Sequence, residues 1–171
     1  MGVTTKHKIA VIPGDGIGKE VVPAAVDVLD KVAALHQIEF DWQWFDWSCE
    51  HYKTHGQMMP DDGLEQLAEF DAIFLGAVGF PGVPDHVSLW GLLIPIRRQF
   101  QQYANVRPIK LLEGVQSPLR DRSAEDIDFI VVRENNEGEY SEIGGRLNAG
   151  TEDELCLQES VFTRKGCDRI M

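Results

Sequence analysis

The chain has 171 residues, of which 43% are hydrophobic and 26% charged, and 28 acidic against 16 basic side chains give a formal net charge of −12. A chain of this length can bury about two thirds of its unfolded surface, and no segment approaches the roughly 20 apolar residues of a membrane span. The lack of such a segment predicts no membrane partner, and the negative charge would repel a phosphate backbone, so we do not expect nucleic acid as a partner either. Since the first residues lead directly into a strand pattern without a leader, we expect a cytoplasmic protein.

The first 79 residues alternate between strand and helix patterns. Runs of β-branched and aromatic residues predict strands, and apolar residues at helical spacing predict helices. In chain order the pattern gives a strand over 8–14, a helix over 19–35, a strand over 38–47, a helix over 61–70 and a strand over 71–79. This βαβαβ order predicts an α/β fold with a parallel or mixed sheet flanked by helices, whose glycine loops face the same edge.

The later residues are punctuated by prolines and end in an unfinished helical pattern. The expected elements are a helical segment over 89–106 interrupted at Pro95, a connector or strand over 107–119, a buried strand over 126–135 with 155–164 as a possible partner, and the start of a helix over 165–171. An amphipathic pattern begins near the end and breaks off without a polar cap. The sequence therefore predicts a truncated fold.

The stretch "PGDGIG" at 13–18 marks the passage from the first strand to the first helix. Its glycines fit a tight turn that needs positive φ angles. They equally fit a loop that lets an anion approach backbone amides at a helix N-terminus. The spacing lacks the GxGxxG of a dinucleotide fingerprint and the Lys-Ser/Thr of a Walker loop, so both interpretations stay open.

Arginines are the second candidate for chemistry. Arg97 lies in a helical segment, Arg107 follows "YANV", and Arg133 ends the apolar run "DFIVV". Each could pair with an acidic neighbour along an apolar surface, or the group could clamp a carboxylate through bidentate guanidinium contacts. Tyr140 follows the loop "ENNEGE", where the residues alone favour packing over proton donation.

The cysteines, histidines and tryptophans show no spacing typical of a metal site. The cysteines are odd in number and scattered, which predicts reduced and inert thiols. We expect the histidines to lie on the surface and three of the tryptophans to pack on a sheet, while Trp90 could narrow a pocket. The residues are Cys49, Cys156 and Cys167; His51, His55 and His86; and Trp42, Trp44 and Trp47.

Five stretches together resemble the β-decarboxylating dehydrogenases, the family of isocitrate and isopropylmalate dehydrogenases, and are most similar to its D-malate and tartrate branch. They cover essentially the whole chain in the family's order. The stretches are "IPGDGIGKEV", "GAVG", "RRQFQQYANVRPIKL", "VVRENNEGEY" and "QESVFTRKG".

The resemblance implies an enzyme that oxidises the hydroxyl of a small 2-hydroxy dicarboxylate with NAD and releases the β-carboxylate as carbon dioxide, with Mg²⁺ or Mn²⁺. It assigns the substrate carboxylates to Arg97, Arg107 and Arg133, and the protonation of the enolate carbon to Tyr140. Leu89 and Trp90 suggest a small four-carbon substrate. The residues implied for the cofactor are Ile12, Gly14, Gly16, Ala77 and Gly79.

The resemblance also implies a domain organisation. Residues 1–100 match the N-terminal part of a large cofactor-side domain and residues 101–171 the start of a small domain for substrate and dimerisation. The family's general-base lysine and metal-binding aspartates lie beyond this chain, so no metal ligand is assigned here. We expect the complete protein to be a homodimer and the isolated chain to be inactive, with exposed apolar sheet edges.

Three alternatives remain at this stage. The chain could be a non-catalytic remnant, or a regulatory or structural subunit of the same fold, although the four catalytic and substrate positions are intact. It could belong to an isopropylmalate dehydrogenase, or be a generic anion-binding α/β module, which would not explain all five stretches. The choice between NAD and NADP stays open.

Overall fold

A computed structural model describes residues 5–171, which fall into two compact units. The first unit ends at Ile96 and the second runs from Arg97 to Met171. The sequence predicted a division after residue 100, whereas the observed one lies inside a helix a few residues earlier. The assignment of the two parts to cofactor and substrate stays a prediction.

The first unit is built on a three-stranded parallel sheet with the order β2-β1-β3. This confirms the predicted α/β class and the parallel sheet. Its elements are β1 (Thr5–Gly14), α1 (Gly18–His36), β2 (Ile38–Trp44), α2 (Cys49–His55), α3 (Gly63–Leu67), β3 (Ala72–Ala77), α4 (Asp85–Ser88), a π-helical turn (Leu89–Leu93) and α5 (Ile94–Gln99), which crosses into the second unit.

The central strand β1 carries the core of this unit. Its residues 9–12 are buried, as predicted for a strand covered on both faces. Val22 of α1 packs against Ile9 and Val11. Apolar spacing alone overestimates the buried face of α1, because Val26 and Ala33 are buried while Leu29 and Val32 are 36% and 46% exposed.

The segment after β2 forms a helix that the sequence patterns missed. The predicted strand ran to Trp47, but β2 ends at Trp44, and the N–H of Phe45 then donates to the carbonyl of Val11 at 2.8 Å. Ser48 caps α2 by accepting from the N–H of His51 at 3.1 Å. A serine cap was the available signal, but seven residues are too few to show a helical period. The next helix, α3, is also shorter than predicted.

The helical run 85–99 passes Pro95 without a break, contrary to prediction. A π-type turn precedes the proline, with the N–H of Ile94 bonded to the carbonyl of Leu89. A proline ring normally clashes with the carbonyl four residues earlier, and a widened turn makes room for it. The run ends at Gln99, well before the predicted residue 106, because the chain enters a strand at Ala104.

The second unit consists of two antiparallel strand pairs and a helix. One pair is β4 (Ala104–Lys110) with β5 (Asp128–Glu134), the other β6 (Gly138–Leu147) with β7 (Leu155–Val161), and α6 (Arg164–Ile170) follows. The sequence patterns did not predict strand β6. The segment 155–164 pairs with β6 and not, as predicted, with 126–135. The helix predicted near the end is confirmed.

The prediction that 126–135 is a buried strand is wrong for this chain. Phe129, Ile130 and Val132 of β5 are 50%, 64% and 53% exposed. An apolar run is typical of a strand covered on both faces, whereas β5 has one neighbouring strand among the described residues, and Phe129 and Ile130, on its opposite faces, are each at least half exposed. Across residues 5–171, no helix is both long enough and apolar enough to cross a membrane.

Candidate active site

The two glycine loops of the first unit meet at the carboxyl edge of the sheet. Gly14 at the end of β1 pairs in register with Ala77 at the end of β3. The N–H of Asp15 then donates to the carbonyl of Ala77 at 2.6 Å. In a sheet with the order β2-β1-β3, the strand order reverses between β1 and β3, which is where α/β sheets place ligands.

The sequence left open whether these glycines serve a tight turn or let a ligand approach the backbone, and the structure shows glycines of both kinds. A Cβ on Gly14 would overlap the carbonyl of Ala77, and one on Gly18 would overlap the carbonyl of Pro13, so both allow backbones to approach closely. Gly16 and Gly79 are exposed, with φ angles of +51° and +144° and open space where a Cβ would point. These two can therefore present backbone to a ligand.

Asp15 joins the loops from inside and was missed by the sequence analysis. Its carboxylate is buried and accepts from the N–H of Gly79 and from the N–H of Cys49, each at 3.1 Å. An acidic residue within a glycine turn between two apolar elements was the available signal. Of the other predicted cofactor residues, Ile12 is fully buried and Ala77 is half-buried.

A cavity of about 370 Å³ lies at the same edge, where Gly14 faces Lys19 and the segment after β2. His51 lines it and stacks on His55 with ring centroids 4.1 Å apart. The expectation that His51 lies on the surface is wrong, because its side chain is only 10% exposed. It lies close to the end of β1, since Gly14 and Phe45 line the same cavity.

Trp90 lines a different cavity, of about 440 Å³, in the first unit. Its other lining residues include Tyr52, Met58 and His86, and no arginine is among them. Leu89 is half-buried in the same π-helical turn. The role of these two residues in selecting a small substrate stays a prediction.

The second unit brings together the tyrosine and two of the predicted arginines. Arg133 donates from Nη2 to the hydroxyl of Tyr140 at 2.7 Å. The guanidinium carbons of Arg133 and Arg97 lie 5.4 and 5.7 Å from the centre of the Tyr140 ring. The hydrogen bond from Arg133 lowers the pKa of Tyr140 and Arg97 adds to this, while burial acts in the opposite direction. Both guanidinium groups therefore favour the ionised form of the phenol.

Arg107 shares a face of the strand pair with Arg133. Asn105 of β4 lies opposite Arg133 of β5, and Arg107 lies opposite Val131. Opposed residues of an antiparallel pair point to the same side, so Arg107 and Arg133 are diagonal neighbours. Arg107 is exposed and donates from Nε to Asn105 Oδ1 at 3.2 Å.

A second set of residues, missed by the sequence analysis, fixes the end of β5 behind Arg133. Asn135 is buried, and its backbone and side-chain amides donate to the carbonyls of Tyr103 and Gln102 at 2.8 and 3.0 Å. Glu134 pairs with Arg169 at 3.2 Å, and both side chains are mostly buried. A cavity of about 500 Å³, which Arg97 and Asn135 line, opens beside this junction.

No group of three histidine, cysteine or acidic side chains within residues 5–171 could hold a metal ion. The ligands of the expected Mg²⁺ or Mn²⁺ therefore have no assignment in the part of the chain that the structure describes.

Comparison with known proteins agrees with the resemblance that the sequence motifs showed. The family model described as isocitrate/isopropylmalate dehydrogenase matches residues 8–171. The chain is 57% identical over 166 residues to D-malate dehydrogenase (decarboxylating) of Escherichia coli K12, covering 96% of this chain and 46% of that relative. It is 54% identical to the tartrate dehydrogenase/decarboxylase of Pseudomonas putida, with the same coverage.

A solved structure supports the same assignment at the level of fold. The isocitrate dehydrogenase of Methylococcus capsulatus superimposes with a TM-score of 0.73 at 30% identity, covering 96% of this chain and 45% of that one. The chain thus spans a little under half the length of the relatives it matches.

Proposed function

The chain belongs to the isocitrate/isopropylmalate dehydrogenase family, and we propose that it is the amino-terminal part of an enzyme that oxidises and decarboxylates a small 2-hydroxy dicarboxylate. D-malate and tartrate are the proposed substrates, because relatives with more than half of their aligned residues identical carry those names. Isopropylmalate is the alternative within the family.

The observation that carries the proposal is the contact of Arg133 with the Tyr140 hydroxyl, with Arg97 beside the same ring. A non-catalytic remnant has no need to keep two guanidinium groups against one phenol. The exposed Arg107 on the face of Arg133 adds a third positive charge. Guanidinium groups match carboxylates in pairs of parallel hydrogen bonds, so this set suits a dianionic substrate.

The residues of this chain would then act in two ways. The three arginines bind the carboxylates, orient the hydroxyl-bearing carbon and offset the negative charge of the substrate. After the hydroxyl has been oxidised to a ketone and the β-carboxylate has left as carbon dioxide, an enolate remains. The O–H bond of Tyr140 breaks as a C–H bond forms at the enolate carbon, and Arg133 stabilises the phenolate that is left.

NAD would serve as the hydride acceptor and a divalent metal as a Lewis acid for the ketone. The exposed backbones of Gly16 and Gly79, with open space above them, fit contact with a nucleotide at the β1/β3 edge. Asp15 holds that edge together through its bonds to Cys49 and Gly79. The complete protein is proposed to be a homodimer.

The test is a steady-state assay of the complete protein with D-malate, tartrate or isopropylmalate, each with NAD or NADP and Mn²⁺. We expect reduced cofactor and carbon dioxide to form in equal amounts with a four-carbon substrate and NAD. Faster turnover of isopropylmalate would move the assignment to that branch. An absence of turnover with every pair would favour the non-catalytic alternative.

The isolated 171-residue chain is the matched comparison in the same assay. We propose that it shows no turnover, because the resemblance assigns the general base and the metal ligands to residues outside it. Clear activity of the pure chain with D-malate, NAD and Mn²⁺ would contradict this part of the proposal.

A further inference from the structure

Tyr140 lies on an irregular stretch of β6 where pairing with β7 is interrupted. Gly138 pairs with Val161 and Ile143 pairs with Glu159, so residues 139–142 lie opposite Ser160 alone. Glu142 has a φ of +58°, in the left-handed region. A bulge of this kind redirects a side chain at the expense of ladder hydrogen bonds. Contacts other than strand pairing must therefore hold the backbone of Tyr140.

Arg98 supplies such contacts from α5. Its Nη2 donates to the carbonyl oxygen of Tyr140, and its Nη1 donates to Glu142 Oε2 at 2.9 Å. The planar guanidinium thus spans the bulge and holds it at two alternate residues. Arg98 directly follows Arg97, so one turn of helix fixes the backbone of Tyr140 through one arginine and faces its ring with the other.

The Arg98–Glu142 pair is too exposed for its main effect to be on stability. The two side chains are 39% and 60% accessible, and exposed ion pairs contribute little to the free energy of unfolding. The geometric role differs from this, because Tyr140 reaches Arg133 of β5 from within the bulge, where its hydroxyl accepts from Arg133 at 2.7 Å.

We propose that Arg98 is a positioning residue, which acts through the backbone of the bulge to keep the Tyr140 hydroxyl on Arg133. The proposal rests on the proposed function only for its catalytic consequence. The charged groups around Tyr140 are Arg133 from β5, Arg97 and Arg98 from α5, and Glu142 from β6 itself.

The first experiment follows tyrosinate absorbance against pH in the purified chain. Each variant is compared with the same protein carrying Tyr140→Phe, because the difference isolates Tyr140 from the other two tyrosines. In Arg98→Gln we expect the pH midpoint of Tyr140 ionisation to rise, because the hydroxyl loses the hydrogen bond from Arg133 that stabilises its ionised form.

Two variants separate positioning from a simple change of charge. Arg98→Lys keeps the charge but cannot hold both acceptors in the same way, so we expect its midpoint to lie between those of the wild type and Arg98→Gln. Arg98→Gln combined with Glu142→Gln leaves the net charge at the bulge unchanged, and we expect the raised midpoint to persist. Midpoints equal to the wild type in these two variants would overturn the proposal.

Arg146→Gln is the matched control, because Arg146 forms an ion pair of 2.8 Å with Glu154 on the same strand pair, away from the bulge. Its midpoint should equal that of the wild type. Should Arg98→Gln fail to give the circular dichroism spectrum of the wild type, Arg98→Lys provides the decision.

The second experiment measures the complete enzyme. Arg98→Gln should lower kcat roughly tenfold to a hundredfold with little change in KM, the range expected for a misplaced catalytic group. The alkaline limb of its kcat profile should move in the direction of the spectroscopic midpoint. An inactive wild-type enzyme would refute the proposed function and leave the spectroscopic result intact, whereas an unmoved midpoint would refute the role of Arg98 even in an active enzyme.

Discussion

At Tyr140 a single hydroxyl receives a hydrogen bond from Arg133 while a second guanidinium, that of Arg97, lies beside its ring. Both groups favour the ionised phenol, so they lower the pKa of Tyr140 against the effect of burial. A proton donor with a lowered pKa transfers its proton more readily at neutral pH.

Tyr140→Phe in the complete enzyme keeps the ring and removes this proton. We expect kcat to fall by about a hundredfold, within the range for loss of a general acid, while substrate KM changes little because the arginines remain. Formation of reduced cofactor and of carbon dioxide would be measured separately. Arg146→Gln, which removes an ion pair away from Tyr140, is the control and should retain wild-type rates; a Tyr140→Phe enzyme with wild-type kcat would rule out the proton-donor role.

Cys49 gives a prediction that needs no catalysis. Burial, and then the nearby Asp15 carboxylate, raise the pKa of the Cys49 thiol to about 11. Near neutral pH an alkylating reagent should therefore modify the exposed Cys156 and leave Cys49 unmodified until the chain is unfolded. Peptide mass mapping after brief labelling checks this.

The raised pKa of Cys49 also makes the free energy of unfolding depend on pH. An unfolded Cys49 ionises near its ordinary pKa of 9.0, below the folded value of about 11. The contribution of the neutral thiol to the free energy of unfolding is thus present below pH 9.0 and is lost as the pH rises toward the folded pKa. Rapid alkylation of Cys49 in the folded chain would contradict both statements.

At the scale of elements, the regular part of the first unit follows from its sequence pattern. The strand β1, the helix α1 and the alternation of the sheet are predictable because long apolar periods dominate there. The helix α2 is not, because a seven-residue helix depends on the Ser48 cap and on tertiary contacts. The prediction of an interruption at Pro95 is wrong because a proline can stay within a helical run when a widened turn precedes it.

Gly18 tests how the first loop packs on β3. A Cβ at this residue would overlap the carbonyl of Pro13 and lie 2.8 Å from the backbone nitrogen of Ala77. Because these are backbone atoms that cannot rotate away, Gly18→Ala should lower the free energy of unfolding by about 2 kcal/mol. Chemical denaturation of the chain measures this.

The matched control is Gly145→Ala in β6, where a Cβ would meet no atom within 4 Å. Its effect should stay within about 0.5 kcal/mol. Equal losses of unfolding free energy in the two variants would mean that replacing any glycine has this effect, whether or not β1 and β3 approach closely there.

At the scale of the whole molecule, part of the candidate site could be foreseen and part could not. The resemblance assigned Arg97, Arg133 and Tyr140 from motifs, and the structure brings these three together. Arg98 and Asp15 were missed because their importance lies in which backbone groups they meet, and no pattern along the chain records that. The prediction that β5 is buried is wrong because an apolar run shows that a strand is suited to burial. It does not show whether neighbouring strands or helices are present to bury it.

The exposed apolar strands lead to a prediction about the isolated chain. Ile130 and Val132 lie on one face of β5, 64% and 53% exposed, and β5 has one neighbouring strand among the described residues. Apolar strands in this state favour pairing with another copy. We expect sedimentation velocity to show species heavier than one chain, in proportions that increase with concentration.

Ile130→Ser combined with Val132→Ser should reduce that association by removing apolar surface from one face of the strand. Val28→Ser is the matched control, since Val28 is 62% exposed but lies on helix α1, away from any strand edge. If the β5 variant associates as strongly as the wild type while Val28→Ser does not, the contact lies on α1. A wild-type chain that sediments as a single monomeric species at every concentration would show that these strands do not drive self-association.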